Sequence, residues 1–571
     1  MQQRGGADAS DRGAVVTDLD PGPLLNLPAK NRHSVRTWIR WLSSGAITPR
    51  EPMVMKITYA TMSADNEELN SSYETALETV KPRLGQTHGV IVNGEERKDR
   101  DLFEEVSPID SSIVVGKYAQ ATTGDVDDAV TAAKSFAPEW ESWGWKRRRD
   151  LMLKAADLMD AELFELGALL SYEIGKNRLE ALGDVAETVE FLRYYARQMT
   201  EHNGFITPLS SHGPDDVNTS VLRPFGVWAV ISPFNFPMAL AGGPSTGALI
   251  TGNTVVVKPS NEGALMAIEF HRIMMEAGLP KEALHVVTGG DEIGDHLAHH
   301  DLVDGLTFTG SYPVGMYLYR TVNEKRPKPV ACEMGGKNPA IVTETADLDV
   351  AAQGIVRGAF GLSGQKCSAT SRVYVHQAVY DQLVDKLVEA TSNLRVGNPV
   401  ELDTFMGPVI DRAAVERFQR AVDEVKNSGG TVYTGGAVLT EGAYAKGNYV
   451  EPTVVTAPLD SSIWTEELFM PLVAVTKVKS LDEGLALSND TEFGLTAGLF
   501  SGDETEIQKW FDGIQAGVTY VNRAAGATTG AWPDINPFGG WKGSGTSGTG
   551  GGGPWYLRQY LREQSRTLIK G

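Results

Sequence analysis

Short apolar stretches alternate with longer segments of regularly spaced apolar residues from about residue 57 onward. Segments 227–231 (VWAVI) and 254–260 (TVVVKPS) are rich in β-branched residues and almost wholly apolar, which is typical of strands covered on both faces. Segments 66–84 and 125–140 carry spaced apolar residues on a polar background, which predicts amphipathic helices. This alternation predicts an α/β fold with a parallel sheet and helical crossovers.

The composition is that of a large folded protein. The chain has 571 residues, more than one hydrophobic core usually holds, so two or three domains are expected. Its formal net charge of −21 opposes contact with phosphates, and we therefore expect no nucleic-acid partner. Two cysteines cannot form a disulfide framework, and no run approaches the roughly 18 to 20 apolar residues of a membrane span. These features predict a cytoplasmic protein with no membrane partner.

Residues 1–54 differ from the rest of the chain. They contain scattered Gly, Pro and Arg and one apolar piece at 35–42, which lacks the small-residue cleavage pattern of a secretory signal. Acidic residues before that piece argue against a mitochondrial presequence. We expect an N-terminal extension, either a disordered tail or sequence upstream of a start at Met53 or Met55.

Three residues are candidates for chemistry, and each also has a structural explanation. Cys367 lies among small and polar residues beside Lys366, where positive charge and backbone amides would favour a thiolate, although most cysteines only fill space in a core. Glu333 precedes two glycines and an apolar segment, and alone it would be an ion-paired or solvated carboxylate. Asn235 lies between two phenylalanines, and alone it would be a turn residue.

The segments around these residues (230–240, 331–342 and 360–372) together resemble the aldehyde dehydrogenase superfamily, and the resemblance runs from about residue 57 to the C-terminus. It implies that Cys367 is the nucleophile, Glu333 the general base and Asn235 a donor to the oxyanion. Attack by Cys367 on an aldehyde would give a thiohemiacetal, loss of hydride would give a thioester, and Glu333 would activate water to hydrolyse it. Superfamily members that transfer the acyl group to coenzyme A usually lack an effective base at the position of Glu333.

Further segments resemble the cofactor-binding motifs of the superfamily. Segment 254–260 resembles the strand and lysine at the adenosine ribose, 308–315 the turn beneath the pyrophosphate, and 466–471 the Glu-x-Phe motif at the nicotinamide ribose. NAD is the implied cofactor; NADP use stays open because Asn261 replaces a glutamate that would repel a 2′-phosphate. The implied cofactor-binding residues are Ser232, Pro233, Phe234, Lys258, Ser260, Asn261, Gly310, Ser311, Gly315, Gly335, Glu467 and Phe469.

Within the superfamily, segments 171–196, 363–372, 406–411 and 552–557 resemble the branch that oxidises glutamate semialdehyde in proline breakdown. Its substrate carries a carboxylate, which needs hydrogen-bond donors, and an amine, which needs an acidic partner. Glu187 is the implied amine partner and Glu180 the alternative, while a solvated helix face explains either carboxylate equally well. The implied substrate-binding residues are Glu187, Phe236, Lys366, Ser368, Gly526, Ala527 and Phe538.

Several departures from the family pattern leave the substrate open. Segment 522–540 has one residue fewer before Gly526 and an insertion at 532–535, Met470 replaces a glycine, and Trp555 replaces an acidic residue. Another semialdehyde or an aliphatic aldehyde is therefore the alternative substrate. A catalytically inactive binding or structural paralogue is the alternative of a different class. The three histidines in 295–302 lack a carboxylate or cysteine at zinc-like spacing, so no metal site is expected.

The resemblance also implies the domain organisation. A Rossmann-type cofactor domain with an N-terminal arm would cover 55–199 and 225–330, and an α/β catalytic domain would cover 331–520. A small β oligomerisation arm would comprise 200–224 and 546–571, and 521–545 would form a substrate-contacting loop that returns to the cofactor domain. The polar hairpin near 200–224 and a final strand at 561–569 suit edge pairing between subunits, so a homo-oligomer is expected.

Overall fold

The structure is a computed structural model that describes residues 66–524 and 531–570. The prediction for residues 1–54 lies outside the described residues. The α-helices are α1 (Glu67–Val80), α2 (Thr123–Ser142), α3 (Gly144–Ala161), α4 (Leu163–Ile174), α5 (Arg178–Glu201), α6 (Pro237–Thr251), α7 (Ala264–Ala277), α8 (Asp291–His299), α9 (Tyr312–Thr321), α10 (Leu348–Phe360), α11 (Tyr380–Ser392), α12 (Arg412–Asn427), α13 (Leu481–Asn489) and α14 (Glu504–Gly513). The strands are β1 (Gln86–His88), β2 (Val90–Val92), β3 (Glu95–Arg97), β4 (Leu102–Val106), β5 (Val114–Ala119), β6 (Ile206–Pro208), β7 (Asp216–Pro224), β8 (Val227–Ser232), β9 (Thr254–Pro259), β10 (Leu284–Val286), β11 (Gly305–Thr309), β12 (Val330–Glu333), β13 (Asn338–Val342), β14 (Thr370–His376), β15 (Thr431–Thr434), β16 (Val438–Leu439), β17 (Tyr449–Val450), β18 (Thr453–Thr456), β19 (Leu472–Val478), β20 (Phe493–Gly494), β21 (Thr496–Phe500), β22 (Val518–Val521), β23 (Trp541–Lys542) and β24 (Leu561–Ile569).

A first seven-stranded sheet has the order β12-β11-β8-β9-β10-β2-β3, and its strands are parallel from β12 to β10. The strands predicted at 227–231 and 254–260 are confirmed as β8 and β9. Successive residues of β8 enter two separate cores: Trp228 and Val230 pack with α6, while Val227 and Ala229 pack with α2. Both faces of the sheet are therefore covered by helices, which explains the nearly continuous apolar sequence of its strands.

A second seven-stranded sheet has the order β15-β18-β19-β14-β13-β21-β22, and only β15 is antiparallel to its neighbour. The apolar segment 338–342 forms β13 at the centre of this sheet. Its residues also alternate between two cores, with Ala340 and Val342 on one side and Ile341 on the other. Two helix-covered, mostly parallel sheets confirm the predicted α/β fold class.

A smaller antiparallel sheet has the order β24-β7-β6. Strand β24 pairs with β7 along its whole length, from Leu561 opposite Pro224 to Ile569 opposite Asp216. The strand predicted at 561–569 coincides with β24. The hairpin predicted at about 200–224 begins later, because α5 continues to Glu201 and the first strand starts at Ile206.

The segment 171–196, which resembles one long helix, is divided in two. Helix α4 ends at Ile174 because Gly175 adopts a left-handed conformation with a φ of 79°, and Asn177 then caps α5. At this joint, Lys176 Nζ lies 2.9 Å from Asp184 Oδ2, and both side chains are fully buried. Asp184 Oδ1 also accepts a hydrogen bond from the backbone N–H of Ala239 at 2.8 Å. The joint therefore fixes the start of α5 against the start of α6.

The glycine-rich run at 543–553 allows close approach of two backbone segments. Gly551 exchanges backbone hydrogen bonds with Phe538 at 2.7 and 3.0 Å. A Cβ atom on Gly550 would lie 2.9 Å from Pro537 Cβ, so a larger residue would separate the two segments. Glycine in this run therefore serves close packing of the backbone and not a flexible linker. Among the helices of residues 66–524 and 531–570, none has the length and apolar character needed to cross a membrane.

Candidate active site

The predicted site residues lie where the two large sheets meet. Ser232 and Glu333 are the last residues of β8 and β12, and parallel neighbouring strands bring their carboxyl ends to one edge of the first sheet. Cys367 comes just before β14, at the amino-terminal edge of the second sheet. The Asn235 side chain links the two edges, because its Nδ2 donates to the carbonyl oxygen of Gln365 at 3.0 Å.

The residues that lead to the thiol form a turn, here named the Cys367 turn (residues 361–367). Two non-glycine residues in it, Leu362 and Ser363, have φ angles of 46° and 54°. Left-handed backbone costs about 1–3 kcal/mol at each such residue, so other contacts must hold it in place. Ser363 Oγ donates to the carbonyl oxygens of Gly407 at 2.8 Å and Pro408 at 3.1 Å. The turn is therefore strained locally and fixed by buried hydrogen bonds.

Cys367 is half-buried, and desolvation raises the pKa of its thiol above the usual range. The negative charges of Glu467 and Glu333 add to that increase, while the backbone N–H of Ser368 opposes it. The expectation that this thiol ionises readily is therefore wrong for this structure. Desolvation is the main reason, and Lys366 Nζ, whose charge was expected to favour the thiolate, lies 3.6 Å from Glu180 Oε1.

Glu333 lies on the other side of the site. Its Oε2 accepts a hydrogen bond from the backbone N–H of Gly540 at 3.2 Å. Desolvation nevertheless raises the pKa of the Glu333 carboxyl to about 8. Near neutral pH this group is therefore mostly protonated, and it becomes able to accept a proton as the pH rises through about 8.

Asn235 is buried in the loop between β8 and α6, with 3% of its surface exposed. One N–H of its amide is directed to Gln365, and Gln365 Oε1 in turn accepts from the backbone N–H of Ile410 at 2.9 Å. A carboxamide nitrogen has two protons, so the second N–H of Asn235 can serve another acceptor. Asn235, Glu333 and Cys367 thus come together around one site, as the resemblance implies.

The residues predicted to hold NAD line the carboxyl edge of the first sheet. The buried Lys258 side chain lies near the end of β9, and desolvation lowers the pKa of its ammonium group. Gly310 donates its backbone N–H to the carbonyl oxygen of Glu333 at 3.1 Å, and Ser311 precedes α9. Ser232 Oγ and Asn261 Oδ1 are buried and have no hydrogen-bond partner in the described part of the chain. Such orphaned polar atoms fit a polar ligand at this edge.

The segment with Glu467 and Phe469 packs against two loops that follow strands of the first sheet, at Gly336 and Phe234. Glu467 Oε1 accepts from the backbone N–H of Gly336 at 2.9 Å, and desolvation raises the pKa of its carboxyl to about 7. The rings of Phe469 and Phe234 meet edge to face, with centroids 6.0 Å apart. The left-handed residue here is Phe469, with a φ of 56°, and Met470 is buried in the core. The replacement of glycine by Met470 is therefore accommodated by packing.

The structure places some of the predicted substrate-binding residues close to Cys367 and Asn235 and others further away. Lys176 Nζ lies 3.6 Å from the centroid of the Phe236 ring, which fixes that ring beside Asn235. Ser368 follows the thiol and is half-buried. Glu187 lies half-buried on α5, where its charge acts on Lys176. Phe538 pairs with Gly551 as described, and Gly526 and Ala527 lie outside the described residues.

The insertion at 532–535 is packed onto α5. Trp532 is buried with 2% of its surface exposed, and Asp534 Oδ2 lies 2.6 Å from Arg197 Nη2 on that helix. Ile535 is 58% exposed. The insertion therefore anchors this part of the predicted substrate loop, residues 521–545, to α5.

Two residues of the site have no role in the sequence-based prediction. Asn338 Nδ2 donates to the carbonyl oxygens of Cys367 at 2.7 Å and Ala369 at 2.9 Å, which fixes the chain on both sides of Ser368. Lys337 is buried, its ammonium group has no hydrogen-bond partner among the described residues, and desolvation lowers its pKa to about 7. The sequence offered one signal for both residues: Lys337 and Asn338 are polar, yet they follow two glycines at the start of an apolar strand.

The three histidines of 295–302 lie on or next to α8. His296 Nε2 lies 2.7 Å from Asp127 Oδ1, and His299 Nε2 bonds Thr321 Oγ1 at 2.8 Å. Over residues 66–524 and 531–570, no group of three His, Cys, Asp or Glu side chains is arranged to hold a metal ion. These histidines are explained by hydrogen bonds at the surface.

Comparison with known proteins extends over most of the chain. The 1-pyrroline-5-carboxylate dehydrogenase of Anoxybacillus flavithermus is 39% identical over 510 residues, which cover 88% of this chain and 96% of that protein. The 1-pyrroline-5-carboxylate dehydrogenase 2 of Halalkalibacterium halodurans is 38% identical over 508 residues, covering 87% and 96% respectively. A crystal structure of 1-pyrroline-5-carboxylate dehydrogenase from Thermus with bound NAD matches with a TM-score of 0.86 and 33% identity, covering 91% of this chain and 100% of that one. Residues 95–565 match the aldehyde dehydrogenase family, and the chain therefore belongs to that family.

Proposed function

We propose that this protein is an NAD-dependent dehydrogenase that oxidises L-glutamate γ-semialdehyde, formed from 1-pyrroline-5-carboxylate, to L-glutamate in proline degradation. The observation that carries the proposal is the convergence of Cys367, Asn235 and Glu333 at the meeting edge of the two sheets, in a chain whose relatives are named for this activity. NAD would accept the hydride from the substrate. The retained thiol, carboxylate and amide argue against an inactive paralogue.

In this proposal, the Cys367 sulfur attacks the aldehyde carbon as the thiol gives up its proton to solvent, and the C=O π electrons move to the oxygen. The oxyanion that forms would be stabilised by the free N–H of the Asn235 amide and the backbone N–H of Cys367. Loss of hydride from the thiohemiacetal leaves a thioester on Cys367. Glu333, held by the Gly540 N–H, would then take a proton from water, and the resulting hydroxide would release the acid.

The residues of the first sheet fit a dinucleotide. Lys258, Ser232 and Asn261 place buried polar groups at the carboxyl ends of β8 and β9, where ligands bind in open α/β sheets. Ser260 Oγ donates to Glu262 Oε2 at 2.6 Å, which keeps a carboxylate next to Asn261. We infer that NAD is preferred, because this carboxylate would disfavour a 2′-phosphate, and NADP use is a measurable alternative.

The substrate is tested by initial rates of absorbance increase at 340 nm with NAD. Glutamate semialdehyde, glutarate semialdehyde and a neutral aliphatic aldehyde are compared, with Cys367→Ala as the blank. We expect the highest kcat/KM for glutamate semialdehyde. Preference for another aldehyde would keep the mechanism, reject the substrate, and assign specificity to the segment with the 532–535 insertion.

A substitution at Ser368 tests how the substrate carboxylate is held. The Ser368 hydroxyl is half-buried directly after the thiol, and we infer that it donates to the distal carboxylate of the substrate. Ser368→Ala should raise KM for glutamate semialdehyde about tenfold, the effect of one lost hydrogen bond to a charged group. It should raise KM for a neutral aldehyde of similar length less than threefold. An equal increase for both aldehydes would contradict the carboxylate assignment.

We infer the domain organisation that the resemblance implies, with a cofactor domain, a catalytic domain and an oligomerisation arm of β6, β7 and β24. In support, β24 presents Leu568 and Ile569 with 61% and 64% of their surfaces exposed. Apolar exposure on an edge suits contact with another copy of the chain. A homo-oligomer in the cytoplasm completes the proposal, since a reducing compartment would keep the Cys367 thiol reduced.

A further inference from the structure

Helix α5 reaches the Cys367 turn through one side chain, Glu180. The backbone N–H of Glu180 donates to Asn177 Oδ1 at 3.0 Å, which fixes the residue in the first turn of α5. Its Oε2 accepts the backbone N–H of Leu362 at 2.9 Å, and its Oε1 lies 3.6 Å from Lys366 Nζ. One carboxylate therefore contacts both the beginning and the end of the turn.

The turn has a specific need for this contact. Gly361 leaves the helical conformation with a ψ of 140°, and the N–H of the buried Leu362 is bonded to Glu180 Oε2, so it would lose this acceptor if the carboxylate were removed. Gly361 leaves the space in which the two charged groups meet. A Cβ atom at that position would lie 2.7 Å from Glu180 Oε1 and 2.5 Å from Lys366 Nζ. Gly361 thus leaves room for the Glu180 carboxylate, and the N–H of Leu362 uses that carboxylate as its acceptor.

The same contacts make Glu180 a poor partner for a substrate amine. One carboxylate oxygen is hydrogen-bonded to the protein backbone, and the other faces the ammonium group of Lys366, which is 5% exposed. An amine ligand would have to compete with Lys366 for that oxygen. This arrangement separates Glu180 from Glu187, which lies two helical turns further along α5.

We propose that Glu180 is a positioning residue for the reaction: it holds the left-handed Cys367 turn so that the thiol faces Asn235 and Glu333. This inference rests on the proposed function only in taking Cys367 as the nucleophile. A misplacement of the sulfur by about 1 Å is enough to lower the rate about a hundredfold, so the contact has a kinetic consequence.

The test compares Glu180→Ala, which removes both contacts, with Glu180→Gln, which keeps an oxygen to accept the Leu362 N–H. Glu201→Ala is the matched control, because Glu201 lies at the other end of α5, where its carboxylate pairs with Arg197 and Gln198. All variants carry Cys332→Ala, so that alkylation by iodoacetamide reports Cys367 alone. We expect the alkylation rate and kcat to fall about tenfold to a hundredfold in Glu180→Ala, to fall less than about threefold in Glu180→Gln, and to stay unchanged in the control.

Two aldehydes separate positioning from substrate binding. Glutamate semialdehyde carries an amine and glutarate semialdehyde does not. A positioning role lowers kcat for both by the same factor and leaves KM within about threefold. A selective increase in KM for glutamate semialdehyde would overturn the inference and make Glu180 the amine ligand. Alkylation and kcat at the parent rate in Glu180→Ala would also overturn it.

Gly361→Ala provides a second route if Glu180→Ala does not fold. The added methyl group would displace the carboxylate from Lys366 while Glu180 remains, so the same loss of alkylation rate is expected. A parent-like alkylation rate in Gly361→Ala would overturn the inference. Alkylation needs no aldehyde, so this readout stays valid even if the proposed substrate is rejected.

Discussion

Cys367→Ala is expected to lose NADH formation completely with every aldehyde, a decrease of at least about ten-thousandfold in kcat. The reason is that no other thiol can replace it. Cys332 is fully buried, it directs its Sγ toward the carbonyl oxygen of Gly315 at 3.6 Å, and desolvation raises its thiol pKa to about 12. Without a sulfur at 367, no covalent intermediate forms, and uncatalysed hydride loss from an aldehyde hydrate is slow. Initial rates at 340 nm measure the loss.

Cys332→Ala is the matched control, because it removes the other thiol and leaves the Cys367 turn intact. We expect it to keep its kcat within about threefold. Cys367→Ala should still bind NAD, because residue 367 lies outside the first sheet, where NAD is expected to bind. Quenching of tryptophan fluorescence measures this binding. Turnover by Cys367→Ala above about one per cent of the parent rate would remove Cys367 as the nucleophile.

The fold follows largely from local sequence patterns. Strands β8 and β9 are predicted because both faces of each strand are buried, and this leaves few polar positions in the sequence. The division of 171–196 was missed. It depends on the left-handed Gly175 and on the Lys176–Asp184 ion pair, whose partners come together only in the folded protein.

The sequence predicted the three central residues of the site but not their surroundings. Cys367, Glu333 and Asn235 were named because they lie in motifs of the family. The raised pKa of the thiol was not predictable, since it depends mainly on burial and on the charges of Glu467 and Glu333, which only the folded chain brings close. The pairing of Lys366 with Glu180 was not predictable either, because these residues are 186 positions apart in the chain. Asn338 was missed because it binds the backbone of Cys367, and Lys337 because its pKa is lowered by burial. Neither property produces a pattern of polar and apolar residues in the sequence.

Glu333→Gln is expected to release at most one NADH per active site in a rapid burst, followed by a steady-state rate lower by about a hundredfold to ten-thousandfold. Hydride loss does not need a base at position 333, whereas hydrolysis of the thioester needs one to activate water. The glutamine can still accept the Gly540 N–H through its amide oxygen, so the packing around the site should be preserved. Stopped-flow absorbance at 340 nm resolves the burst from the steady state. Glu344→Gln, on the exposed surface after β13, is the control and should show parent kinetics.

The pH dependence gives this experiment a second, independent readout. Because desolvation raises the pKa of Glu333 to about 8, the basic carboxylate is the minor form at pH 7 and the major form above pH 8. The steady-state rate of the parent enzyme should therefore rise as the pH increases and level off above about 8, and this ionisation should be missing from Glu333→Gln. Normal steady-state turnover in the variant would refute Glu333 as the base. A retained ionisation near pH 8 with slow turnover would instead assign it to Glu467, whose carboxyl pKa is raised to about 7 by the same desolvation.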